Sequence, residues 1–321
     1  MNSTRNLGSA RSFRWWHETV ITVFLLIVLQ LAGWLVPGFL KVQSQLLLSR
    51  QLWEFAILAL GMTLIIISGG IDLSVGSAMG LCAVMFGVVN TATGSLLAAS
   101  IASLITGLCC GAINGALVAR LRLHPLIVTL ATLAAYRGIA EGWSQGQSYS
   151  RFGDAFSSLS RGSWLGVPLP GFMFLVMAIG CAVFLVKTPT GRYLYAIGHN
   201  EQAAKFSGIP VNRIRFGLYS MSGLLAGFAS LIYVARFDTA KADVGKGFEL
   251  DVITAVVLGG TSIYGGRGNI PGTVLGLLLI HETRLFVSRY FGSDELRSIV
   301  IGCLLILSVL AYQLVSSRRP R

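Results

Sequence analysis

Charge is what this sequence has least of. Only 12% of its 321 residues are Asp, Glu, Lys or Arg, where a globular chain carries about 25%. With 54% hydrophobic residues and a mean hydropathy of +0.72, the chain has too few polar groups to cover a soluble core, so lipid must be the solvent for most of it. Cysteine chemistry is also lacking. Cys82, Cys109, Cys110, Cys181 and Cys303 all lie in apolar runs and form no C-x-x-C or metal-spaced pairing with histidine, so they read as small buried hydrophobes rather than disulfide or zinc residues. No nucleotide-binding G-x-x-x-x-G-K-[ST] occurs. At the nearest candidate, Gly245-Lys246, Ala240 replaces the leading glycine and Gly247 the Ser/Thr, so the chain lacks an ATPase loop of its own. His17, His124, His199 and His281 are scattered, with no H-E-x-x-H and no paired serine motif. No catalytic residue, metal site or cofactor is therefore expected. No basic run interleaves with aromatics in a soluble stretch, so the net charge of +12 does not read as nucleic-acid binding.

What is present is a succession of apolar runs, at about 19–36, 52–68, 73–90, 95–119, 126–142, 170–186, 215–235, 251–265, 271–288 and 297–315. They predict an all-α, polytopic transmembrane helix bundle of about ten spans, forming one transmembrane domain over residues 1–321. The stretch from Gln51 to Val89 is too long for one span and breaks at Gly69-Gly70. The first run follows Arg5, Arg11 and Arg14 but is long for a signal peptide and has no A-x-A site, so it is read as an uncleaved span behind a cytoplasmic segment 1–18. Orientation follows the positive-inside rule. With both termini cytoplasmic, those three arginines join Arg120, Arg122, Lys187, Arg192, Lys205, Arg213, Arg215, Arg267, Arg318, Arg319 and Arg321 on one face, against only Glu18, Asp72 and Glu201. The opposite face is close to neutral. It would carry a main external loop at 143–169 and shorter charged ones at 236–250 and 289–297, a polar surface that could receive a soluble partner or simply be solvated.

The cytoplasmic loop 187–214 holds the best-formed local structure. Asn200 suits an N-cap, Glu201 the positive end of a helix, Lys205 lies four residues on, and Gly208 and Pro210 supply the stop. A helix of about two turns is unstable alone, so it must pack on the bundle or on a partner. Gly69 to Gly76 ("GGIDLSVG") and Gly259 to Gly266 ("GGTSIYGG") share a GG-x5-G skeleton behind apolar runs, a repeat echo or a chance recurrence. Broken helices are where backbone groups become available within a membrane. Asp72 is the only charge between Glu54 and Arg120, and is either a functional acid or a helix cap. Arg137 and Glu141 are spaced as an i,i+4 pair, and His281, Glu282 and Arg284 fall late in the ninth run. These groups could line a path or reach water by snorkelling. Small residues four apart at Gly76/Gly80, Gly107/Gly111/Gly115, Gly223/Gly227 and Gly272/Gly276 mark close-packed faces, within the fold or between two copies.

Three segments in order, "ISGGIDLSVGS" at 67–77, "GRYLYAIGHNEQAAKFSGI" at 191–209 and "ELDVITAVVLGGTSIYGGRGNIPGT" at 249–273, make the chain resemble the membrane permease subunit of ribose-type monosaccharide ABC importers, the ribose, rhamnose and autoinducer-2-like permeases. The resemblance implies residence in the bacterial plasma (inner) membrane, in lipid. It also implies a separate cytoplasmic ATP-binding subunit, a periplasmic or lipid-anchored sugar-binding protein, and a second permease copy in a homodimer or heterodimer. It places the coupling element on Gly198, His199, Asn200, Glu201, Ala203, Ala204, Lys205, Ser207 and Gly208. For the translocation path the candidates are Asp72, Ser74, Asn114, Arg137, Glu141, His281 and Glu282. The competing expectation is a stand-alone secondary carrier or channel, for which only Asp72, Glu141 and Glu282 could serve as intramembrane acids.

Overall fold

The structure, a computed structural model, describes residues 4–164 and 166–292, with 296, 299, 300, 302–304 and 306 beyond them; side chains are described from Glu18 onward. Most of the tenth apolar run and the C-terminal arginines lie outside the described residues. The order is α1 (Thr4–Leu35), α2 (Val42–Leu48), a 3-10 turn (Ser49–Gln51), α3 (Trp53–Ile67), α4 (Val75–Thr93), α5 (Leu96–Ala119), α6 (Pro125–Ser144), β1 (Tyr149–Ser150), α7 (Asp154–Arg161), β2 (Ser163–Trp164), β3 (Val167–Pro168), α8 (Leu169–Lys187), α9 (Pro189–His199), α10 (Glu201–Phe206), α11 (Val211–Phe237), β4 (Thr239–Ala240), α12 (Phe248–Leu258) and α13 (Ile270–Phe291).

Apolar pattern decides which helix sits where. α3 is apolar on every side, and fourteen of its fifteen residues are buried, the behaviour of a helix with no face for solvent. By contrast α5 and α8 bury one stripe and turn Leu97, Ile101, Ile105 and Leu108, or Leu175, Val176, Ile179 and Val183, outward. Such large exposed apolar faces require lipid rather than water. α11 closes on α5 through the small-residue stripes: a Cβ on Gly107 would strike the Gly223 carbonyl, and one on Gly111 the Tyr219 carbonyl. Gly272 and Gly276 of α13 meet Gly259 and Ala255 in the same way. These stripes join helices of one chain.

Among the described residues six helices are long and apolar enough to cross a membrane, or seven if α2 with its 3-10 turn and α3, bent by 59°, make one span. Two of the expected spans are changed. The run 251–265 is not a spanning helix: α12 has 11 residues, about 16 Å at 1.5 Å per residue, and the chain leaves it at Gly259. The run 126–142 forms α6, but Thr129, Thr132, Arg137 and Glu141 lower its hydropathy and it is not one of the six. Nor is 143–169 a plain loop. It contains α7, a β2–β3 hairpin, and β1, which pairs antiparallel with β4 through Tyr149↔Ala240. Cys109 and Cys303 are exposed rather than buried, on outward faces where a thiol serves as a small apolar group.

Candidate functional site

The α9–α10 segment is built from local signals. Thr188 caps α9, its hydroxyl accepting from Gly191 N at 3.0 Å, and Pro189 occupies the first turn, where its missing N–H costs nothing. α9 ends on Asn200, whose Oδ1 accepts from Ala203 N at 3.0 Å and so opens α10. Glu201 is bridged by Lys205 at 2.5 Å and Arg215 at 2.7 Å. Partial burial alone would raise the Glu201 carboxyl, but hydrogen bonds from these two cations hold it below its ordinary range. Gly208, at φ +78°, reverses the chain in a left-handed conformation that suits glycine. Of the residues expected to couple, Ala204 is buried against the bundle, Gly198 and Glu201 are half-buried, and His199, Asn200, Ala203, Lys205, Ser207 and Gly208 are exposed. Sequence reasoning missed Phe206, 92% exposed at the end of α10. It also missed α9 as a separate helix, although Thr188-Pro189 is a readable start signal.

Where α9 ends, three glycine segments meet. A Cβ on Gly198 would strike both the Ile67 carbonyl and the Gly266 amide. Those two groups hydrogen-bond to each other, Gly266 N donating to Ile67 O at 2.9 Å. Gly69 and Gly265 complete the contact: a Cβ on Gly265 would lie 2.9 Å from Gly69 Cα and 3.0 Å from Gly198 Cα. Gly69, Gly265 and Gly266 all have positive φ, between +72° and +83°. Tyr195 of α9 adds a hydrogen bond to Gly268 O at 3.0 Å. The last turn of α9 is thus clasped backbone to backbone by the breaks that follow α3 and α12.

Beside the first break lies a buried polar cluster. Asp72, 2% exposed, accepts on Oδ1 from Ser74 N at 3.0 Å and Ser74 Oγ at 2.7 Å, and on Oδ2 from Ser222 Oγ of α11 at 3.4 Å. Asn114 of α5 donates to Ser74 Oγ at 2.7 Å. The Tyr136 hydroxyl of α6 lies 3.1 Å from Asn114 Oδ1 and 2.9 Å from Cys110 O, with one proton to give. Asp72, Ser74 and Asn114, singled out in the sequence, are therefore brought together, and Ser222 and Tyr136 join them. Asp72 is not an N-cap. It closes a turn onto Ser74 and ties α4 to α11, and both its oxygens are engaged from within the chain.

The other candidates lie elsewhere. No ion pair joins Arg137 to Glu141 among the described residues; Glu141 is exposed, and the Arg137 guanidinium donates to the carbonyls of Ala242, Val244 (3.0 Å) and Gly76 (3.3 Å). The planar guanidinium has five donors, enough to serve three carbonyls at once. Arg137 thereby pins the 241–247 segment across α4, where Gly76 and Gly80 leave room for it. His281 and Glu282 are buried on α13 and share no hydrogen bond with the Asp72 cluster.

The chain is 36% identical over 303 residues to the autoinducer 2 import system permease protein of Photorhabdus laumondii, covering 92% of this chain and 91% of that protein. It is 36% identical over 315 residues to the ribose import permease protein of Escherichia coli K12, covering 96% and 98%. No solved structure matches it significantly. A family model described as "Branched-chain amino acid transport system / permease component" matches residues 46–309, most of the chain with both glycine breaks and α9–α10, and the protein belongs to that permease family.

Proposed function

We propose that the chain is the membrane-spanning permease subunit of an ATP-driven importer for a sugar-type solute, working in the bacterial inner membrane. The two relatives are by name import permeases, one for ribose and one for autoinducer 2, and full-length coverage of both supports carrying that activity over. The whole chain, 1–321, acts as one transport domain of about ten membrane segments, of which α12 is too short to cross by itself, with both termini on the cytoplasmic side. It catalyses no reaction of its own; hydrolysis belongs to a cytoplasmic ATP-binding subunit. A periplasmic or lipid-anchored binding protein delivers the solute, and a second permease copy completes the pathway.

The observation that carries this reading is the clasp at Gly198. A short, well-capped helix presenting an exposed aromatic is joined through its base to the breaks that follow α3 and α12. A push on α10 therefore reaches both breaks without an intervening flexible loop. Residues 198–201, 203–205, 207 and 208 form this coupling element, to which Phe206 is added as the side chain that enters the partner. Asp72, Ser74 and Asn114 border the path as a structural pin, and Arg137 holds the segment 241–247 against it.

The test is extraction of the tagged protein from its own host in mild detergent. A stoichiometric partner carrying a nucleotide-binding G-x-x-x-x-G-K-[ST] loop is expected, and it is lost from Phe206→Glu while the size-exclusion profile of the permease is kept. A protein that purifies alone and moves solute into vesicles without ATP contradicts the reading and makes it a carrier.

A further inference from the structure

A cavity of about 280 Å³ opens between the start of α3 and the second half of α13, with Gln51, Phe55, His281, Arg284, Ser288 and Arg289 around it. It is separate from both the glycine junction and the Asp72 cluster. His281 is 3% exposed, and its Nε2 has no protein partner. The Nε of Arg284 is likewise buried without one, although the same guanidinium pairs through Nη2 with Asp251. Arg289 stands exposed at the rim and has no acidic partner among the described residues. The Arg284 Nε–H is a buried donor without an acceptor, and His281 Nε2 joins it as a donor in the tautomer that carries the proton there; such groups are costly unless a ligand supplies the partner.

The chemistry of the lining selects the ligand. Arg284 lies over the Phe55 ring, Cζ 5.5 Å from its centroid, so that face is already covered and cannot stack on a neutral sugar. The charged groups that line the cavity are both guanidiniums, joined by an imidazole nitrogen, an amide and a hydroxyl. A neutral polyol needs acceptors as much as donors, whereas an oxyanion needs donors in a planar or forked array. We propose that this cavity binds an oxyanion of the phosphate type, supplied either by an acidic phospholipid headgroup or by free phosphate. Leu48 and Leu285, which also line it, suit the first carbons of the acyl chains beneath a headgroup. The site stands whatever solute the permease carries.

The full-length protein in detergent is titrated with phosphatidylglycerol and, separately, phosphatidylcholine, and the bound lipid is counted by native mass spectrometry. The titrations are repeated with inorganic phosphate and on Arg289→Gln and His281→Gln. Preferential retention of phosphatidylglycerol, weakened about tenfold in each variant (about 1.4 kcal/mol), supports the site. Displacement of the lipid by phosphate, or a phosphate-induced rise in thermal midpoint that both variants lose, assigns it to a free anion. Resistance to phosphate assigns it to the headgroup. Arg289→Gln changes an exposed residue and keeps the fold, so failure of His281→Gln to fold leaves the test intact. The proposal is overturned by equal retention of the two lipids with no phosphate effect, or by a preference unchanged in the variants that fold. Protection by a neutral monosaccharide alone overturns it too, as does loss of binding-protein capture in the variants without any lipid or phosphate effect.

Discussion

The two glycine breaks share a skeleton but not an anchorage. The break after α3 is locked from within: Asp72, Ser74, Asn114 and Ser222 draw α4, α5 and α11 onto it, and the Tyr219 hydroxyl of α11 reaches Ile71 O at 3.3 Å. The break after α12 has no acid and is tied mainly at its margins. Asn269 caps α13 and donates to Glu18 of α1 at 3.1 Å, Tyr195 holds Gly268, and Tyr264 stands 72% exposed. The first break is a pivot fixed by an acid in the core, and the second an arm held by its own turn, by Gly266 N on Ile67 O and by its margins. Both are held at one point, Gly198.

The largest effect expected on this comparison comes from Gly198→Val. The new side chain collides with backbone on both breaks and has no flexible neighbour to displace, an overpacking cost of about 1–3 kcal/mol, and ATP-driven uptake in proteoliposomes should fall at least about tenfold, the factor that 1.4 kcal/mol represents. Gly208→Ala meets nothing within 4 Å. It bears only the left-handed backbone penalty of about 1–2 kcal/mol and should keep the junction. Next is the contrast between anchors. Asp72→Ala strands the Ser74 and Ser222 donors and should lower stability by about 2–3 kcal/mol, against about 1 kcal/mol for Tyr195→Phe in the second break, as read from thermal midpoints in detergent. Equal losses would erase the distinction between pivot and arm.

The smallest effect is electrostatic. The Glu201 carboxyl is held below its ordinary value of 4.5, so its pairing with Lys205 and Arg215 contributes fully above that value. The contribution fades as the pH falls through the depressed folded value. At neutral pH partner binding should be insensitive to small pH changes, and it should weaken only in acid, less so in Glu201→Gln. A loss of binding centred near pH 7 would contradict this.

Features set by neighbouring residues were legible before the structure. The Asn200 cap, the Glu201/Lys205 spacing and the stop at Gly208 lie within one turn of one another, and α10 follows from them. The break at Gly69-Gly70 was legible too, because glycine interrupts a run too long for one span. What depends on distant partners was not. Asp72 and Ser222 are 150 residues apart, and nothing local announces their meeting. Arg137 and Glu141 are spaced for a pair, yet the guanidinium is drawn to carbonyls over a hundred residues away. Gly198 looked like one glycine of a loop motif, and its contact with two breaks exists only in three dimensions. Gly259 and Gly260 carried the break skeleton, but they do not lower hydropathy enough to show that α12 stops there instead of spanning.

α10 and the two breaks are expected to move as one body. Spin labels at Ser207→Cys and Tyr264→Cys, in a complex whose native exposed cysteines are replaced, measure it by pulsed electron resonance, without nucleotide and with trapped ATP. This distance is expected to change by less than about 2 Å, the scale of a small helix shift, while a pair reaching from Tyr264 to the β1–β4 strands changes by more. A large change between Ser207 and Tyr264 on ATP binding would contradict the clasp and leave α10 free to move without the breaks.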